Sequence, residues 1–110
     1  MALVGNLEPP YYAVIFTSIR TNQAEEEYQE LNDYISNLAV QQPGFLGMES
    51  ARNNIGVTAV YWRDLESIQA WRANAEHAAA KKIGREKFYE AFHTRICKVE
   101  REYGWTKPKE

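Results

Sequence analysis

Apolar residues recur along the chain with two alternating periods. From Tyr11 to Arg20 the run YYAVIFTSIR is dense in aromatic and β-branched residues and predicts a first strand. After the Thr21-Asn22 break, Tyr28, Leu31, Ile35 and Leu38 recur at helical spacing. That stripe predicts a helix over about residues 23–41, stopped by Pro43-Gly44. Asn22 with Glu25 resembles an N-cap and its reciprocal acidic partner. Residues 45–52 and 56–63 flank Asn53-Asn54, a strong turn signal, and read as a hairpin.

In the second hairpin strand, Val57, Ala59 and Tyr61 share one face, and Thr58, Val60 and Trp62 the other. Apolar groups on both faces predict burial on two sides. Asp64 suits the N-cap of a second helix, along which Leu65, Ile68, Trp71 and Ala75 form a stripe. Helix continues from Ala75 to Lys87, with Gly84 as a bend or stop. Phe88–Tyr103 reads as the last strand.

The order is βαββαβ. It predicts an α+β, ferredoxin-like fold: a four-stranded antiparallel sheet with helices on one face. The expected divisions are an N-terminal arm (1–10), one domain (11–104) and a C-terminal tail (105–110). The uncovered sheet face predicts a homodimer, because each large apolar side chain left wet forfeits about 1.5–3 kcal/mol.

Charge narrows the partners. With 13 basic and 15 acidic residues the net charge is −2, so nothing points to nucleic acid or an anionic membrane surface. No export signal or spanning segment is legible, and a cytoplasmic protein is the expectation. One cysteine, Cys97, reads as a buried small hydrophobe. Two histidines make a multi-histidine metal site hard to build. Lys81, Lys82, Arg85 and Lys87 form a basic run, interrupted by Glu86 and read as a solvated helix face.

Three segments carry a resemblance: YYAVIFTSIR, then QQPGFLGMES, then VYWRDLESIQAWRANAEHAAAKKIGREKFYEAFHTRICKVEREYG. Together they resemble the antibiotic biosynthesis monooxygenase family of dimeric α+β barrels, over about residues 11–104. The resemblance implies oxygenation of a small aromatic or polyketide-like substrate with O2, and no metal, flavin or haem cofactor. Deprotonating a phenol-like group makes an electron-rich anion that reacts with O2. The alternative is a dimer that binds haem or another hydrophobic small molecule without turnover.

The resemblance places Trp71 at a cavity on the second helix; the same stripe also suits core packing. Asn74, one turn on, is a donor to a substrate oxygen or a surface amide. His77 has the ordinary pKa of a proton acceptor near neutrality, about 6.5. It stands six residues after Trp71, about 120° away around an unbroken helix. Arg85, with Tyr89 as a second donor, is placed to hold an anionic oxygen, or else to pair with a glutamate. Tyr61 and Trp62 point oppositely, one toward the site and one toward the interface. His93 faces the cavity or the interface.

Haem-degrading relatives carry an asparagine on the first strand and a histidine ten residues after the helix tryptophan. Here those places hold AVIFTS and Lys81.

Overall fold

A computed structural model of the chain describes residues 3–109. Residues 1–2 of the expected arm and 110 of the expected tail lie outside it. The elements are β1 (Tyr11–Arg20), α1 (Glu25–Ala39), β2 (Phe45–Arg52), β3 (Gly56–Trp62), α2 (Leu65–Ala73), α3 (Ala75–Ile83), a π-helical turn (Gly84–Phe88) and β4 (Tyr89–Val99). One antiparallel sheet runs in the order β2-β3-β1-β4. The fold is α+β and ferredoxin-like.

Register explains which residues meet the helices. Tyr12, Val14 and Phe16 pair with Trp62, Val60 and Thr58, and with Lys98, Ile96 and Thr94 on the other side. Side chains alternate across a strand, so these positions share one face. Trp62 on that face is fully buried and packs with Ala39, Ile68 and Trp71. Ile35 and Leu38 close the same cluster from α1. Burying each such side chain stabilises the fold by about 1.5–3 kcal/mol.

A second aromatic cluster sits at the far end of β1. Phe16, Tyr28, Phe88, Tyr89 and Phe92 meet mostly edge to face, with centroids 5.3–6.1 Å apart. The Arg20 guanidinium lies 3.3 Å from the centre of the Tyr28 ring.

Several boundaries differ from those read in the sequence. The N-cap of α1 is Ala24, in the left-handed conformation at φ 57°, and no side chain caps it. Asn22 is displaced from that role because Tyr28 is fixed in the aromatic cluster, and its N–H closes the first turn on the Ala24 carbonyl at 2.9 Å. Thr21 is tied instead to the π-turn, donating through Oγ1 to the Lys87 carbonyl at 3.0 Å. The second helical region is broken in two as expected, but at Asn74 rather than at Gly84, through which the helical backbone runs on into the π-turn. Phe88 belongs to the π-turn and not to β4, and is 3% exposed. β4 ends at Val99, opposite Tyr11, because β1 offers no partner beyond it.

The outer sheet face carries Tyr11, Ala13, Ile15 and Thr17 beside Tyr61, Ala59 and Val57, and beside Val99, Cys97, Arg95 and His93. It is not uniformly buried within one chain: Val57, on the side where a partner was expected, is 43% exposed. Cys97 is exposed as well, contrary to its reading as a buried hydrophobe. Both follow from one fact: within one chain no helix covers this face, and β4 is an edge strand. The N-terminal arm reaches the β2 side, where the Val4 N–H donates to Glu49 at 2.8 Å. No helix of the described residues is long and apolar enough to cross a membrane.

Candidate functional site

α2 begins at Asp64, whose carboxylate accepts from the N–H and hydroxyl of Ser67, both at 2.7 Å. These bonds hold the Asp64 carboxyl below the usual carboxylate range. The cap fixes the phase of α2, so that Ile68 and Trp71 fall on the buried side. Trp71 is 8% exposed. Its indole lies between Trp62, at 6.1 Å, and the imidazole of His77, at 4.2 Å.

Asn74 makes the second contact possible. Its backbone, at φ −61° and ψ 125°, closes α2 and opens α3. Its Oδ1 accepts from the N–H groups of Glu76 and His77, at 3.0 and 3.4 Å. The amide oxygen is thus committed to capping α3, and Asn74, expected to donate its amide N–H to a substrate oxygen, does not line the cleft beside it. From α1, the Tyr34 hydroxyl bonds the Glu76 carboxylate and anchors the same turn.

His77 is half-buried, and its pKa is pushed down to about 4, by burial first and then by the charges of Lys81 and Arg72. Its Nδ1 and the Trp62 Nε1 are both buried without a hydrogen-bond partner among the described residues. The imidazole is therefore neutral at pH 7.

Beside this aromatic stack, α2, α3, the π-turn and Ile96 of β4 enclose an open cleft of about 840 Å³. Ile68, Leu65 and Ile96 supply apolar surface. Arg72, Lys81, Lys82 and Arg85 supply four cations, and Glu86 one carboxylate. None of these four cations takes part in the ion pairs found among the described residues, which are Arg20–Glu25, Arg63–Asp64 and Lys87–Glu27. An anion that displaces water there meets uncompensated positive charge.

The residues singled out in the sequence divide among four places. Trp71, His77 and Trp62 come together in the core, with Asn74 as their hinge. Neither Trp71 nor His77 lines the cleft; Arg85 does. Tyr89, expected beside Arg85, packs against Phe16, Tyr28 and Phe92 instead, and burial pushes its hydroxyl far up. Tyr61 lies on the outer face, where its hydroxyl donates to Glu49 at 2.7 Å. Burial, then that bond, raises its pKa to about 12. His93 is exposed and pairs with Thr17 on the outer face, so the two imidazoles lie on opposite sides of the sheet.

Sequence reasoning passed over three cleft residues. Lys81 and Lys82 read as solvated helix face, and Arg72 drew no notice. Their common signal is position: all three stand in the last turn of a helix, at its negative dipole end. Only the fold of α3 over α2 points them into one cleft.

Residues 10–83 match the antibiotic biosynthesis monooxygenase family. The chain is 44% identical over 97 residues to the uncharacterized protein YqjZ of Bacillus subtilis, covering 86% of this chain and 84% of that one. Among solved structures it is similar to SnoaB, a cofactor-independent oxygenase from Streptomyces nogalater. That likeness has a TM-score of 0.72 at 13% identity and covers 86% of this chain and 97% of SnoaB. A Mycobacterium tuberculosis protein gives a TM-score of 0.75 at 12% identity, over 86% of this chain and 99% of its own. At such identities the structural likenesses establish the fold alone.

Proposed function

The chain belongs to the antibiotic biosynthesis monooxygenase family, and on that premise we propose that it oxygenates a small aromatic or polyketide-like phenol with O2. The observation that carries this reading is the cleft, with four cations around an apolar floor. SnoaB, a cofactor-independent oxygenase of the same fold, supports oxygenation in which the substrate itself supplies the electrons.

The energetic demand is modest. A phenol ionises at a pKa of about 10, and bringing that to about 7 takes about 4 kcal/mol. A hydrogen bond to a charged group contributes about 1.5–3 kcal/mol. Once a flat substrate has displaced water from the cleft, two cations suffice. Arg85 is one of them. The resulting anion reduces O2; one oxygen atom enters the substrate as a carbonyl, and the other leaves as water with two substrate hydrogens.

His77 does not serve as the base in this scheme. It does not line the cleft, and with a pKa near 4 it is a weak base toward a phenol. The cleft is open to solvent, and water carries the proton away. Binding of haem without turnover has less support, since neither His77 nor His93 lines the cleft.

The working unit is a homodimer joined through the outer sheet faces. Val57 and Ile19, 43% and 40% exposed, supply apolar surface for it. Light scattering on the eluting protein gives the mass of two chains; the mass of one removes the dimer. Oxygen uptake with anthrone, which gains a carbonyl and loses two hydrogens, tests the activity. Wild-type protein consumes O2 above the buffer rate, and Arg85→Gln lowers that consumption about tenfold, the loss of one charge-assisted bond. No uptake with anthrone or hydroquinones, or an unchanged rate in Arg85→Gln, overturns the reading.

A further inference from the structure

We propose that the substrate of this cleft carries a second fixed anion, a carboxylate, held by Arg72 and Lys81 while Lys82 and Arg85 serve the phenolate end. Where the phenolate sits rests on the oxygenase reading; that the cleft selects a second anion rests on its charge.

The chain as a whole carries a net charge of −2. The cleft inverts that sign. Four cations and one carboxylate line it, a net +3, and no ion pair among the described residues engages those cations. A phenolate neutralises one unit and leaves two. Two donors meet the phenolate's demand, so two cations remain without a task in the reaction.

Position separates Arg72 and Lys81 from Arg85. Arg72 follows Trp71, whose indole lies 4.2 Å from the His77 imidazole, and Lys81 stands about one turn beyond His77, so both cations lie at the Trp71 end of the cleft. Arg85 stands on the π-turn, four residues past Lys81, about 6 Å further along the axis. The negative dipole ends of α2 and α3 account for basic residues in their last turns. They do not account for the convergence of all four on one cleft. A guanidinium beside an ammonium matches a carboxylate, which accepts two parallel bonds from Arg.

Two probes of one shape test this without turnover: anthraquinone-2-carboxylate and anthraquinone-2-carboxamide, titrated against intrinsic tryptophan fluorescence. All four cations are exposed, so each contact is partly screened. The carboxylate binds about 5-fold tighter than the amide at low salt, and the ratio shrinks toward one at about 0.5 M salt. In the double variant Arg72→Gln/Lys81→Gln the ratio falls to within twofold, while Arg85→Gln keeps it. Circular dichroism checks that both variants are folded. Equal binding of the two probes, or a preference that survives the double variant, overturns the second-anion site. Oxygen uptake with anthrone but no carboxylate preference removes this site and leaves the oxygenase reading. The preference without any oxygen uptake does the reverse.

Discussion

The imidazole of His77 lies against the indole of Trp71, with centroids 4.2 Å apart and planes at 54°. On an unbroken helix these residues would point about 120° apart. Asn74 ends one helix and caps the next between them, and the change of axis brings the rings into contact. The contact encloses the half-buried imidazole, and burial pushes its pKa down to about 4.

His77 makes stability pH-dependent. In the unfolded chain its pKa is about 6.5; in the fold it is about 4. Between these values the unfolded state binds the extra proton, so stability is full above about 6.5 and falls as pH drops toward 4. The whole shift corresponds to about 3 kcal/mol, and partial exposure cuts this to about 1–2 kcal/mol. Urea midpoints at pH 7 and pH 4.5 show the difference. His77→Gln shows a drop smaller by that amount, and equal drops would contradict the burial argument.

Trp71→Ala costs about 3–5 kcal/mol, the usual loss for a buried tryptophan. The indole is packed against Trp62, Ile68 and Ala39. The same change removes one side of the His77 enclosure, so the imidazole pKa, followed by NMR, rises from about 4 toward 6.5. Loss of stability without movement of the His77 titration would mean that other groups desolvate the ring.

Asn74→Ala removes the N-cap of α3 and costs about 1 kcal/mol in urea unfolding, whereas Asn74→Ser, which keeps a capping oxygen, costs little. Because Oδ1 also holds the His77 N–H, Asn74→Ala loosens the first turn, and the His77 pKa rises with it. An Asn74→Ala protein as stable as wild type would show that α3 is held by its packing alone.

Gly44→Ala is strongly destabilising. Gly44 stands at φ +85°, which L side chains rarely adopt, and a Cβ there would overlap the Ser67 hydroxyl. That hydroxyl is engaged by Asp64 at 2.7 Å, so it cannot swing away without loosening the α2 cap. Thermal unfolding reports a loss above about 2 kcal/mol. A Tm within a degree of wild type would show that the turn relaxes freely.

Local pattern decided the strands, the two apolar stripes and the Asp64 cap. Each depends on residues within a turn or two of one another, and so βαββαβ and the partition of Tyr61 from Trp62 were legible in the chain alone. Tertiary structure decided the rest. Asn22 resembled a cap, but the pull of Phe88 and Tyr89 on Tyr28 moved the start of α1 to Ala24. Asn74 resembled a surface amide, and only the turn of α3 across α2 made it a hinge. Arg72 and Lys81 stand nine residues apart on separate helices, and no periodicity places them in one cleft. Charge in a cleft depends on the path of the backbone between helices, which is fixed by packing far from the residues that carry it.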